Sequence, residues 1–223
     1  MKLSQFITRV KIQCPNISGV DDDAITLLLN EACDKVNLLT KVYKTYSDFN
    51  VVAEQQTYNF STIATSYLGM DKKGVYLKNS DGEWDEIFPK TKDWIAEQFP
   101  DWINADSVSI PEWYWAEGDE LGFHQKPSTS YASGGRVYHL KKRTDMSSGD
   151  HYPFTGSSTQ ITALSPLDDA IIAYVRWKLS PAVGAVTDAD LREQEFLKEC
   201  RKGAMQIKRR PDMTTDSTYQ MSL

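Results

Sequence analysis

Cysteine is scarce. Cys14, Cys33 and Cys200 are odd in number and far apart, which fits neither a disulfide framework nor the close ligand pairs of a zinc site, and a reducing compartment is expected. Long apolar runs are missing too. None approaches the roughly 18 to 20 residues that a membrane-spanning helix needs, and Met1-Lys2-Leu3-Ser4-Gln5-Phe6 lacks the apolar core of a signal peptide. A soluble, intracellular chain without a membrane partner is therefore expected. Positive charge is in deficit, with 25 Lys and Arg against 31 Asp and Glu and a net charge of −6. A dedicated nucleic-acid binder needs cationic surface to gain from counterion release, so that class is disfavoured.

Catalytic signatures are also lacking. The phosphate-cradling GxGxxG and GxxxxGK[ST] segments and the GxSxG turn of serine hydrolases do not occur. His124, His139 and His151 show no HxxxH or Cys/His spacing and receive no metal or general-base role. Asn79-Ser80-Asp81-Gly82 resembles part of a calcium loop, but Leu77 and Phe88 stand where the first and last oxygen ligands belong, so the segment reads as a turn. Carboxylates are numerous enough to pair by chance, and no spacing singles out a catalytic pair. No catalytic residue, metal or cofactor is expected, and the chain reads as something other than an enzyme.

What is present is a change of period along the chain. Leu3, Phe6, Ile7 and Val10 recur at helical spacing, stopped by Pro15 and Gly19. Asp21-Asp22-Asp23 sits where carboxylates favour a helix N-terminus, and Ile25, Leu29, Ala32, Val36 and Leu39 form one apolar stripe after it. From about Tyr46 the pattern turns to strands. Phe49 and Val51 with Tyr58 and Phe60 flank Glu54-Gln55-Gln56 and suggest a strand pair. Val75-Tyr76-Leu77 before Asn79-Ser80-Asp81-Gly82, and Trp113-Tyr114-Trp115 before Glu117-Gly118-Asp119, each suggest a hairpin, with a short helix between them over residues 91–99. Val137-Tyr138-His139-Leu140 supplies another strand.

Helix returns after Ser165-Pro166-Leu167-Asp168, which has the form of an N-terminal cap, and again after Thr187 and Asp190, where Phe196, Leu197, Cys200, Ala204 and Ile207 share a face. Residues 212–223 are polar and read as a flexible arm. The expected fold is α+β: a helical bundle of the N- and C-terminal helices (residues 1–45 and 160–211), a central β-rich insertion of hairpin or sandwich type (46–159), and the arm.

Six tryptophans stand out, at 84, 94, 102, 113, 115 and 177. Exposed, they could stack on sugar rings in a carbohydrate-binding or tail-fibre-like module; packed, they would fill the β core or anchor an interface, where tryptophan is enriched. Trp113 and Trp115 alternate about Tyr114 on one strand face, which favours packing, and Trp84, Trp113 and Trp115 are the candidates for a subunit or tail interface. Near the C-terminus Arg201, Lys202, Lys208, Arg209 and Arg210 gather five cations, either a solvated helix end that complements the helix dipole or a docking element.

The order of these features resembles that of tailed-bacteriophage head-to-tail connector proteins of the adaptor type, across residues 3–210. The resemblance rests on the short first helix, on Leu28-Leu29-Asn30-Glu31-Ala32 in the second, and on the strand entry Glu54-Gln55-Gln56-Thr57-Tyr58-Asn59-Phe60. It continues through Trp115-Ala116-Glu117-Gly118-Asp119-Glu120-Leu121-Gly122-Phe123 leading into Lys126-Pro127, and through the buried helix after Ser165. Residues 91–109 and 147–158 are longer than the family pattern. The resemblance implies a ring, usually of twelve copies, docked below the phage portal protein. Such a ring extends the DNA channel without sequence-specific DNA contacts and offers a platform to tail or further connector proteins. It implies a virion location at the head-tail junction, after assembly in the host cytoplasm. It also implies portal docking through the C-terminal end, which brings in Met213, Tyr219, Met221 and Leu223 beside the five cations. An envelope hydrolase is the third class weighed.

Overall fold

A computed structural model describes residues 1–14, 17, 19–108, 110–180 and 189–209. They fall into two compact units, Lys44–Lys141 forming one and the chain on either side of it the other. Residues 142–159, placed in the β-rich insertion by their lack of helical period, belong to the helical unit, whose core includes Met146 and Phe154.

In the helical unit, α1 (Leu3–Gln13) buries Leu3, Phe6 and Val10, and α2 (Asp22–Thr40) buries Ile25, Leu29, Ala32, Cys33 and Val36. Asp21 caps α2 by accepting the Ala24 N–H at 2.7 Å, so the acidic run does what its position suggests. The expected cap at Ser165 does not form. Residues Thr162–Leu167 make a 3₁₀ turn, the Ser165 hydroxyl donates to the Thr162 carbonyl, and α5 (Asp168–Leu179) begins three residues later. α5 is buried from Ala170 to Val175, and α6 (Ala189–Lys208) packs Phe196, Cys200, Gly203 and Ile207 into the same core. Gly203 allows the close crossing: a Cβ there would lie 2.8 Å from both Leu167 Cδ2 and the Pro166 carbonyl oxygen.

Asn30 ties residues 142–159 to α2. Its amide nitrogen donates to the Met146 carbonyl at 3.1 Å and its oxygen accepts the Met146 N–H at 2.9 Å, so one side chain satisfies both polar groups of a buried residue. Arg143 adds a 2.6 Å bond to the Asn30 carbonyl and pairs with Asp34 and Asp145.

The other unit corrects the expected architecture. Its strands are β1 (Lys44–Val51), β2 (Thr57–Asn59), β3 (Tyr67–Lys78), β4 (Trp84–Pro89), β5 (Trp113–Glu117), β6 (Glu120–Phe123) and β7 (Tyr131–Lys141). They make neither a sandwich nor a set of loose hairpins on a bundle, but one seven-stranded sheet in the order β1-β7-β3-β4-β5-β6-β2, antiparallel except for β4 with β5. The sheet curls until its edges meet, the Phe49 ring of β1 lying 5.1 Å from the Tyr58 ring of β2. It therefore wraps a core of its own, including Phe60, Val75, Leu77, Ile87, Tyr114, Leu121, Phe123 and Val137, rather than decorating a helical one.

The two expected hairpins form, as β3 with β4 and β5 with β6. In the first turn the Asn79 side chain accepts the N–H groups of Asp81 and Glu83, and Gly82 takes φ +80°. The expected pairing of residues 49–51 with 58–60 is overturned. β1 and β2 occupy opposite edges of the order, and Phe60 opens the single-turn α3 (Phe60–Ile63). Two aromatic residues lie over glycines on the neighbouring strand, Phe49 opposite Gly135 and Trp115 opposite Gly122, an arrangement that covers a bare backbone with a ring.

Candidate functional site

The face of β1, β7, β3 and β4 opposite that core is the most distinctive surface of the unit. Strand alternation sends Val75, Leu77, Ile87 and Val137 inward, and so sends Tyr76 and Lys78 (β3), Trp84 and Glu86 (β4), Arg136 and Tyr138 (β7), and Tyr46 and Asp48 (β1) outward. The outward residues interlock. The Arg136 guanidinium sits 4.0 Å from the Tyr46 ring centre and 4.4 Å from that of Trp84, and grips Asp48 through two bonds of 2.7 and 3.0 Å. Those bonds to Asp48 hold the Arg136 pKa above the usual arginine value.

Lys78 lies 4.9 Å over Trp84 and Lys73 lies 5.0 Å over Tyr138, while Tyr138 contacts Tyr46 at 5.8 Å and Tyr76 at 5.5 Å. Burial, with Glu86 and Tyr138 nearby, raises the Tyr76 pKa, so its hydroxyl stays protonated and able to donate. Among the described residues neither Lys73 nor Lys78 has a carboxylate within ion-pair distance. A sugar or a base stacks on an open ring face, whereas cations already lie over the faces of Tyr46, Trp84 and Tyr138. The lattice offers ring edges, hydroxyls and ammonium groups instead.

The other two interface candidates are placed differently. Trp115 is 1% exposed and packs with Ile95 and Trp102 beneath α4 (Lys92–Gln98) and the 3₁₀ turn Trp102–Asn104, its indole nitrogen without a hydrogen-bond partner among the described residues. Tyr114 is buried too, in the core of the sheet unit, so Trp113 and Trp115 alternate with it as expected and both faces of the strand are covered. Trp113 is half-buried among Trp94, Phe99 and His124. An open cleft of about 320 Å³ lies over Trp115, lined by Lys90, Thr91, Lys92, Asp93, Ala116 and Glu117.

Of the C-terminal cations, Arg201, Lys202 and Lys208 lie exposed on α6, with exposed Arg209 just beyond it, and Lys202 pairs with Glu199 at 3.0 Å. Arg210, Met213, Tyr219, Met221 and Leu223, with the whole expected arm 212–223, lie outside the described residues.

Reactive groups are mostly enclosed. Burial pushes the thiol pKa of Cys14 up, and those of Cys33 and Cys200 to about 12, which keeps them as unreactive thiols at neutral pH. The Ser47 hydroxyl lies 3.0 Å from His139 Nε2, and Nδ1 faces the Leu140 carbonyl at 3.1 Å. That is half of a nucleophile-base arrangement. His139 is fully buried, which lowers its pKa, and both ring nitrogens are engaged in packing the sheet. Among the described residues no three or more His, Cys, Asp or Glu side chains gather as a metal cluster.

Sequence reasoning missed the outer-face lattice except for Trp84. Its signal was there in period two on β3 and β7, where Tyr76 and Lys78 flank buried Leu77 and Arg136 and Tyr138 flank buried Val137. Which strands lie side by side is not carried by that period. No protein-family model matches the chain, and no curated protein matches it.

Proposed function

We propose that the chain is a structural head-to-tail adaptor of a tailed phage, forming a ring below the portal that extends the DNA channel and offers a docking platform to tail proteins. The observation that carries this reading is the order of features over residues 3–210. In particular, the hairpin Trp115-Ala116-Glu117-Gly118-Asp119-Glu120-Leu121-Gly122-Phe123, followed by Lys126-Pro127, lies in a single β segment between terminal helices. A chain of net charge −6 repeated around a channel suits passage of DNA, because acidic walls repel phosphates and let the duplex slide. Repetition in a ring also turns weak individual portal contacts into a stable assembly. The carbohydrate-binding alternative loses support from the two cations over Trp84 and the burial of Trp115.

Purified virions of the source phage test the reading. Quantitative mass spectrometry should find this chain in full particles, in a fixed ratio to the portal protein. Its absence from washed infectious particles would remove the adaptor from consideration.

A further inference from the structure

The 98 residues of the sheet unit hold the whole formal charge of the chain, and they hold it unevenly. Residues 81–120, which run through β4, α4, β5 and the start of β6, contain twelve carboxylates and two lysines, a net −10. The rest of the unit contains seven Lys and Arg and three carboxylates, a net +4. Strand order turns this sequence asymmetry into a spatial one, because β1, β7 and β3 lie together at one side of the sheet while β4, β5 and β6 follow on the other. The acidic side is poorly neutralised from within: of its carboxylates only Glu120 has a cation within 4 Å among the described residues, and Glu97, Glu112 and Glu117 are exposed.

We propose that the outer-face lattice centred on Arg136 is the receiving half of a head-to-tail contact between copies of this chain, and that the acidic stretch beyond β4, residues 93–117 from α4 into β5, is the half of the next copy that it receives. Three observations select a second copy as the occupant. The first is charge: Lys73 and Lys78 have no carboxylate partner among the described residues, and an exposed surface of opposite sign stands on the same unit. The second is composition, since tyrosine, tryptophan and arginine are the side chains that dominate protein-protein contacts. Their mutual stacking orders them in advance and so lowers the entropy lost on docking. The third is geometry. Receiver and donor lie at different parts of the strand order, so each copy uses two different surfaces, the heterologous pattern that closes into a ring where the rotation allows. A two-fold dimer through the lattice would instead bring the lysines of one copy toward those of the other. The contact deepens the adaptor reading and rests on it only for closure of the ring.

Sedimentation velocity of the full chain at about 0.05 and 0.5 M salt reads the contact, since screening shortens the reach of exposed charges. Species larger than a dimer are expected at low salt, shrinking toward monomer at high salt. Lys73→Glu with Lys78→Glu disables the receiver, and Glu97→Lys with Glu112→Lys disables the donor; all four side chains lack ion-pair partners among the described residues, so circular dichroism should show both variants folded. Each variant alone should fall to monomer, with self-association weakened at least tenfold. An equimolar mixture should recover association, because the intact donor of one variant meets the intact receiver of the other and the reversed pair is again of opposite sign. Persistent assembly of either variant, a mixture that stays monomeric, or a wild-type chain that is monomeric at low salt would each overturn the contact. So would a monomer that binds single-stranded DNA or a glycan in a Lys73- and Lys78-dependent way. Co-sedimentation of the same samples with portal rings separates the two claims: portal binding without self-association sinks the contact and spares the adaptor, and the reverse outcome does the opposite.

Discussion

Replacing Gly122 by alanine tests how the sheet unit is held together. Gly122 faces Trp115 across the β5-β6 pair, and a Cβ at position 122 would lie 2.0 Å from Trp115 Cζ2 and 2.2 Å from Cε2, well inside van der Waals contact. The indole is 1% exposed and packed against Ile95 and Trp102, so it has no solvent to swing into. Forcing one methyl into such a site costs about 1–3 kcal/mol, and the small gain from replacing strand glycine by alanine does not offset it. Trp115→Ala alone should cost about 3–5 kcal/mol through the lost ring and the cavity left behind. In the double variant the methyl added at position 122 enters that cavity rather than a ring, so its penalty should vanish and the two costs should fall short of adding by about 1–3 kcal/mol. Urea unfolding followed by far-UV circular dichroism measures all four corners of this cycle without relying on tryptophan fluorescence. Costs that add within about 0.5 kcal/mol would mean that the ring and the glycine do not touch, and the account of the β5-β6 pair would be wrong.

Other substitutions probe other parts. Asn30→Ala strips both partners from the buried Met146 backbone, and at about 1–3 kcal/mol for each orphaned group it should lower stability by roughly 2–6 kcal/mol in the same urea assay. Ile171→Asp puts an unpaired charge at a fully buried position of α5 and should abolish cooperative melting of the helical unit, as differential scanning calorimetry would reveal. Burial lowers the pKa values of His124 and His139 below their ordinary 6.5, so the folded chain resists protons that the unfolded chain accepts. The stability that these neutral rings provide is complete above 6.5 and is lost as pH falls below it, so the urea midpoint should drop between about pH 7 and 5.5 and drop less in His139→Gln. Deleting residues 212–223 should leave the melting transition unchanged and abolish binding to portal rings.

The parts of the fold that could be read from the sequence are those set by neighbours along the chain. Asp21 announces a helix start because its carboxylate needs only the Ala24 N–H three residues on, and Asn79-Ser80-Asp81-Gly82 announces a turn because its bonds close within the tetrapeptide and its next neighbour. The single curled sheet was hidden because its organising contacts are remote. Asp48 meets Arg136 across 88 residues of sequence, and Phe49 covers Gly135 from a similar distance. Alternation assigns each side chain to a face and leaves the neighbouring strand unspecified. Residues 142–159 escape the sequence for a related reason: they have no period at all and are held by the side chains of Asn30 and Arg143, a signal invisible without the partner. The candidate surface combines both cases. Its rows of Tyr76-x-Lys78, Trp84-x-Glu86 and Arg136-x-Tyr138 were written in the strands, but their assembly into one lattice depended on a strand order that the sequence does not reveal.

The most direct test of the adaptor claim is to mix the full chain with a portal protein encoded in the same genome and separate the products on a density gradient. The chain should move with the portal as a ring in a fixed ratio, twelve copies to a portal in the arrangement that the family resemblance implies. If it stays at the top of the gradient at every concentration while the portal rings sediment alone, the adaptor reading is contradicted.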